Sequence, residues 1–138
     1  MVVRVIDIET TGTDPVADAV IEVASVDVLA DGTITNRQST LVRPGIPIPP
    51  EASAVHHLID EDLADAPPLM NAIHLFRGAD AYVAHNADFE QSFLGPRLGE
   101  ATWVCTYKCA LRIWPGPARP QQPGAPVSAR LREPVRHR

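Results

Sequence analysis

Aromatic residues are scarce. Phe, Trp and Tyr make up 5% of the 138 residues, so aliphatic packing must do most of the stabilising. There are only two cysteines, Cys105 and Cys109, four positions apart. Two thiols without a matching Cys or His pair fall short of a zinc site, and free thiols in a reducing compartment are the expected state. No apolar run approaches the ~18 residues that a membrane span needs. The N-terminus has no charged region followed by an apolar stretch, because Arg4 and Asp7 interrupt Met1 to Ile8. A cytoplasmic protein without membrane contact is expected.

What is present allows one core of useful size. The net charge of −5 hides an asymmetry: Pro115 to Arg138 carries five Arg and one Glu, whereas Met1 to Trp114 carries seven basic against sixteen acidic residues. An acidic body argues against passive binding to a polyanion. It suits a site that gathers divalent cations first and lets the cations meet a phosphate.

The hydrophobic pattern predicts a strand over Val2 to Ile8, ending in a Thr-Thr-Gly turn. Val20 to Leu29 alternates as a second strand, Asp31-Gly32 is a short-hairpin signal, and Thr33 to Arg43 returns as a third. Pro44 to Pro50 should be irregular, and the acidic residues that follow His56-His57 should start a short helix. Pro67 or Pro68 opens another helix, with Leu69, Ile73 and Phe76 at helical spacing and Gly78 as its stop. Ala81 to Ala84 reads as a short buried strand, and Asn86 as the cap of a helix that Gly95-Pro96 bends or ends. In that helix Phe89 and Phe93 should face the core together. A strand, Thr102 to Cys105, and a helix, Tyr107 to Ile113 capped by Thr106, complete the series. A meander followed by alternating helices and strands implies an α/β fold with a mixed sheet. Trp103 and Trp114 read as core or edge packing. After Trp114 the periodicity ends, and six prolines stand among Arg, Gly, Gln and Ala. The expected division is a domain over 1–114 and a Pro/Arg-rich, disordered tail over 115–138.

Asp7 and Glu9 are two apart on a strand, so their carboxylates project from the same face. Neighbouring carboxylates repel unless a proton or a cation intervenes, and hard oxygen ligands favour Mg²⁺ or Mn²⁺ over zinc. Thr10, Thr11 and Gly12 form a tight turn whose N–H groups and hydroxyls could meet a nucleotide terminus.

Asp7-Ile8-Glu9-Thr10-Thr11-Gly12 resembles the first motif of the DnaQ-like, or DEDD, 3′→5′ exonucleases, a family that includes the polymerase III epsilon subunit and exodeoxyribonuclease X. Ala84-His85-Asn86-Ala87-Asp88-Phe89-Glu90 resembles its His-Asn-x-x-Phe-Asp segment. The Pro-rich loop and His56 in a Val-His-x-Leu-x-Asp setting are also similar. The resemblance runs from Val2 to about Trp114. It implies a ribonuclease H-like mixed sheet and hydrolysis of the terminal phosphodiester with two Mg²⁺ or Mn²⁺ ions. By register with Phe89, the second-motif acid falls on Glu90 rather than Asp88. Asp7, Glu9 and Glu90 are then the implied catalytic and metal-holding residues, with Asp88 a secondary candidate. Thr10, Thr11, Gly12, His56, Asn86 and Phe89 are the implied substrate contacts.

The family's third motif, a histidine (or tyrosine) with an aspartate a few residues on, has no counterpart. After Glu100 the only acid is Glu133, and after His85 the only histidine is His137. The C-terminal helices are therefore expected to be missing. GC-rich codons read out of frame give mainly Arg, Pro, Ala and Gly, so a frameshift beyond Trp114 would account for the change. The resemblance implies a 3′→5′ exonuclease impaired by that loss, its partner a nucleic-acid 3′ end with DNA favoured over RNA, and a polymerase subunit as a second partner. The alternatives are a catalytically silent nucleic-acid-binding or polymerase-associated module and a truncated product without function.

Overall fold

Arg4, Ile6 and Ile8 alternate with Val3, Val5, Asp7 and Glu9, and this alternation decides which side of the first strand enters the core. In the computed structural model, which describes residues 1–114, Ile6 and Ile8 are buried whereas Asp7 lies at the surface. Five strands form one mixed sheet in the order β3-β2-β1-β4-β5. β1 (Val3–Thr10), β2 (Val20–Val28) and β3 (Ile34–Leu41) are the antiparallel meander, while β4 (Ala81–Ala84) and β5 (Thr102–Cys105) add in parallel. The hairpin between β2 and β3 closes at Gly32, whose φ of 85° needs a residue without a Cβ.

The helices are α1 (Pro50–His56), α2 (Leu69–Ala72, continued by a 3₁₀ turn, Ile73–Phe76), α3 (Ala87–Leu98) and α4 (Thr106–Ile113). A further 3₁₀ turn, Asp60–Leu63, arises from the acidic run. The main core joins Ile6, Ile8, Val23, Ile73, Phe76, Tyr82, Phe93 and Leu94 from β1, β2, β4 and two helical segments. Burying one such side chain contributes about 1.5–3 kcal/mol. A second cluster, Ile21, Ile48 and Leu63, fixes the Pro-rich loop and α1 against β2. Phe89 and Phe93 do share a face, with ring centroids 5.1 Å apart. Trp103 stacks on Tyr82 at 5.2 Å.

At the other end of the strands, Arg4 enters the core paired to Asp27. Its Nε donates to Oδ1 at 2.7 Å and its Nη2 to Oδ2 at 2.9 Å. Asn36 adds a third donor to Asp27, and the Arg4 Nη1 group donates to the Arg77 carbonyl. A buried pair stands only when the remaining donors and acceptors are met in this way.

Several local expectations are corrected. Pro50 opens α1 rather than closing an irregular stretch, because a proline at the first helical position gives up an N–H that would be unbonded there. Asn86 makes no side-chain cap; it adopts a left-handed conformation, φ 76° and ψ 52°, which turns the chain from β4 into α3. Gly95-Pro96 does not end α3, since the helix runs on to Leu98 with Pro96 inside it. There the Arg97 guanidinium donates to the Phe93 carbonyl at 2.7 Å and supports the last turn. Cys105, not Thr106, caps α4: its sulfur accepts the Lys108 N–H. Trp114 is 72% exposed, so it is not a packing residue here. The tail over 115–138 lies outside the described residues. No helix among those described is long and apolar enough to cross a membrane.

Candidate active site

β1 and β4 are parallel neighbours, with Val5 opposite Val83, so both strands end at the same edge of the sheet. β1 brings Asp7 and Glu9 to that edge. α3 begins at Ala87, just past β4, and brings Glu90 to it from its first turn. Asp7 and Glu9 thereby share one region with Glu90, some eighty residues later in the chain, for a topological reason.

Glu90 is the unusual member. It is 4% exposed, and its Oε2 has no hydrogen-bond partner. Burial pushes its carboxyl up to about 7; its own backbone N–H opposes the rise, and the Asp7 charge adds to it. Asp7 keeps an open outer surface, yet the protein around its carboxyl displaces enough water to raise its pKa. The Ile8 N–H opposes that shift and the Glu22 charge reinforces it. Glu9 is raised by burial first, then by Asp7 and Glu22.

Glu22 is the residue sequence reasoning missed. On β2 it pairs directly with Glu9, an arrangement of like charges that destabilises a sheet unless something compensates it. The Ser39 hydroxyl donates to its Oε1 at 3.0 Å. The available signal was a glutamate interrupting the apolar run Val20-Ile21-Glu22-Val23.

The other candidates are placed as follows. Thr11 is buried, and its hydroxyl donates to Asp18 Oδ1 at 3.1 Å while accepting the Ala19 N–H at 3.0 Å. Thr10 donates its hydroxyl to the Gly12 carbonyl. Both hydroxyls are thus engaged within the turn itself. His56 sits at the end of α1, its Nδ1 accepting the Leu58 N–H at 3.1 Å. A neutral ring that accepts at Nδ1 carries its proton on Nε2, and that buried nitrogen has no partner. Burial lowers the His56 pKa, His57 lowers it further and Glu22 opposes them. Asn86 is half-buried at the turn into α3, and Phe89 packs partly against the core. Asp88 is exposed and pairs with Lys108, its Oδ2 2.7 Å from Nζ.

Among the described residues, no three His, Cys, Asp or Glu side chains, Asp7, Glu9 and Glu90 included, are placed so that together they could hold a metal ion. Mg²⁺ seldom uses an all-protein cage: it binds through one or two carboxylates and completes its shell with water and substrate phosphate. An orphaned buried carboxylate oxygen beside raised acids is the donor set that such a cation would satisfy.

The sequence pattern of the exonuclease family matches residues 4–95. The chain belongs to this family. The exonuclease domain is 45% identical over 113 residues to exodeoxyribonuclease 10 of Escherichia coli K12, covering 82% of this chain and 49% of that protein. It is 34% identical over 125 residues to the DNA polymerase III epsilon subunit of Treponema pallidum, covering 83% of this chain and 58% of the relative. Both bear out the DnaQ-like resemblance, and the domain spans about half the length of these curated relatives. Among solved structures, exonuclease X in complex with 5′-overhanging duplex DNA superposes with a TM-score of 0.70 at 42% identity, over 83% of this chain and 65% of that one. Escherichia coli exonuclease I bound to a dA16 oligonucleotide gives a TM-score of 0.68 at 11% identity over 83% and 30% of the two chains, a likeness of fold alone. The ribonuclease H-like mixed sheet is therefore the fold of this exonuclease domain.

Proposed function

We propose that this domain serves a divalent-metal-dependent 3′→5′ exonuclease that acts on DNA ends. The observation that carries the reading is Glu90: a buried carboxylate oxygen without a partner, lifted to about 7, under the influence of Asp7. Such a group is costly to a fold unless a ligand relieves it. Asp7, Glu9 and Glu90 would hold the Mg²⁺ or Mn²⁺. When bound, two such ions supply an activated water and stabilise the leaving 3′-oxygen.

The chain's own residues prepare the strand end. The rigid turn over Thr10 to Gly12 would receive the terminal nucleotide. His56 offers a buried Nε2–H that lacks an acceptor, which a phosphate or base oxygen would supply. Asn86 shapes the turn that sets Glu90, and Phe89 contributes the rim above Phe93. The DNA bound in exonuclease X supports DNA as the substrate, and the epsilon relative supports a polymerase subunit as a partner.

The histidine and aspartate of the family's third motif have no counterpart here, since Glu133 and His137 are the only acid and histidine beyond Glu100. A missing general base typically costs about 10²–10⁴ in rate, so slow turnover is expected of this chain alone. That no three such side chains among the described residues are placed to hold a metal ion favours a second reading, a silent DNA-binding module.

Mn²⁺-dependent digestion of labelled single-stranded DNA, with Asp7→Ala as control, tests the proposal. Loss of 3′-terminal nucleotides by the wild type alone supports it. Equal degradation by both proteins rejects the enzyme, and oligonucleotide binding without degradation selects the silent module.

A further inference from the structure

The loop after the acidic corner is held by a residue that belongs to no motif. Asp18 accepts the Thr11 hydroxyl at Oδ1, 3.1 Å away, and the Asp14 N–H at Oδ2, 3.0 Å away. Its own N–H returns to the Asp14 carbonyl at 2.8 Å, and the Thr11 N–H reaches the Ala19 carbonyl at 2.9 Å. The Thr11 hydroxyl closes the circuit by accepting the Ala19 N–H. Gly12 lies against this clasp. A Cβ added there would stand 2.3 Å from Asp18 Oδ2 and 2.6 Å from its Oδ1 and Cγ. Gly12 has a negative or extended φ, unlike Gly32, Gly45, Gly78 and Gly99. Its lack of a side chain therefore answers to space, and the carboxylate of Asp18 occupies that space.

The side-chain hydrogen bonds of Asp18 all go to the turn.

We propose that Asp18 is a positioning residue for the strand end: it fills the place of a side chain at position 12 and clasps Thr11 and Asp14, thereby fixing the backbone that receives the terminal nucleotide. The proposal rests on the exonuclease reading above. It also accounts for the two threonine hydroxyls being turned inward: they set the turn's shape, and its backbone meets the ligand. A site held loosely by an ångström loses binding and rate even when every contacting group is present.

The test uses the full chain and its Asp18→Ala, Asp18→Asn, Gly12→Ala and Gly12→Ala/Asp18→Ala variants. Affinity for a fluorescent single-stranded oligonucleotide is measured in Ca²⁺, Mn²⁺ affinity by calorimetry, and folding by thermal melting, with binding read well below each midpoint. Asp18→Ala is expected to weaken oligonucleotide binding about tenfold while leaving Mn²⁺ affinity unchanged. Asp18→Asn, which keeps the volume and one acceptor, should fall between it and the wild type. Gly12→Ala should weaken binding as well, and the double variant should be no worse than Asp18→Ala, since the clash is then gone. Wild-type affinity in folded Asp18→Ala and Asp18→Asn, or additive losses in the double variant, would overturn the proposal. If Asp18→Ala does not fold, Asp18→Asn and Gly12→Ala decide by the same criteria. A wild-type chain that binds no oligonucleotide would instead bring down the exonuclease reading itself.

Discussion

Glu90 on α3 and Asp7 on β1 are coupled across the seam between helix and sheet: the Asp7 charge helps to lift the Glu90 carboxyl to about 7, from an ordinary value of 4.5. Burial removes water from Glu90, and the neighbouring acid discourages a second negative charge.

The first consequence is an inverted pH dependence. Glu90 binds its proton more tightly folded than unfolded, so its contribution is fully present below about pH 4.5 and is lost as pH rises through about 7. The raised carboxyls of Asp7 and Glu9 act in the same direction, while the lowered carboxyl of Asp27 opposes them at the acid end. In EDTA, urea unfolding should show Glu90→Gln to be more stable than the wild type near pH 7.5, by on the order of 1–3 kcal/mol. A gain that persists undiminished at pH 4.5 would contradict the linkage.

A divalent cation should reverse that penalty. At pH 7.5, millimolar Mn²⁺ should raise the melting temperature of the wild type, because a ligand that binds only the folded state stabilises it. Asp7→Asn and Glu90→Gln should each reduce the increment. An equal rise in all three proteins would indicate binding elsewhere.

Asp88 separates the two carboxylates of the second motif. It is exposed and paired with Lys108, so Asp88→Ala should leave Mn²⁺ affinity unchanged where Glu90→Gln lowers it. Calorimetric titration of both variants gives the comparison, and the opposite order would move the ligand role to Asp88.

Arg4 should matter to stability and not to metal binding. Arg4→Met strands the buried Asp27 carboxylate, at a cost of about 3–5 kcal/mol. Arg4→Met/Asp27→Leu should recover most of that loss in urea unfolding. If the double variant is as unstable as the single one, packing rather than unpaired charge is the cause.

The loss of one buried ring gives a scale for these effects. Phe93→Ala should cost about 3–5 kcal/mol, since Phe93 is 4% exposed in the main core. Chemical denaturation of that variant would set Arg4→Met beside an ordinary cavity.

Much of the fold was legible locally. Alternation in Val20 to Val28 and the Asp31-Gly32 turn are short-range signals, and Asp7 and Glu9 share a face because a strand repeats every two residues. The same local rules misread Pro50 and Asn86. Their effect depends on where a helix starts and on a left-handed turn that propensity does not reveal. Glu22 and Asp18 were invisible for another reason: each takes its meaning from a partner brought near by the sheet or the loop, Glu9 in one case and Gly12 in the other.

By itself the sequence determined the strand order of the meander and the placing of Asp7 and Glu9 together at the end of β1. Only the tertiary structure decided that β4 lies parallel to β1, which carries the first turn of α3 to the same edge as Asp7. It also decided that Glu90 is buried there without a partner. The physical reason is that periodicity is written in neighbouring residues, whereas desolvation and charge coupling depend on distances between residues that only folding brings together.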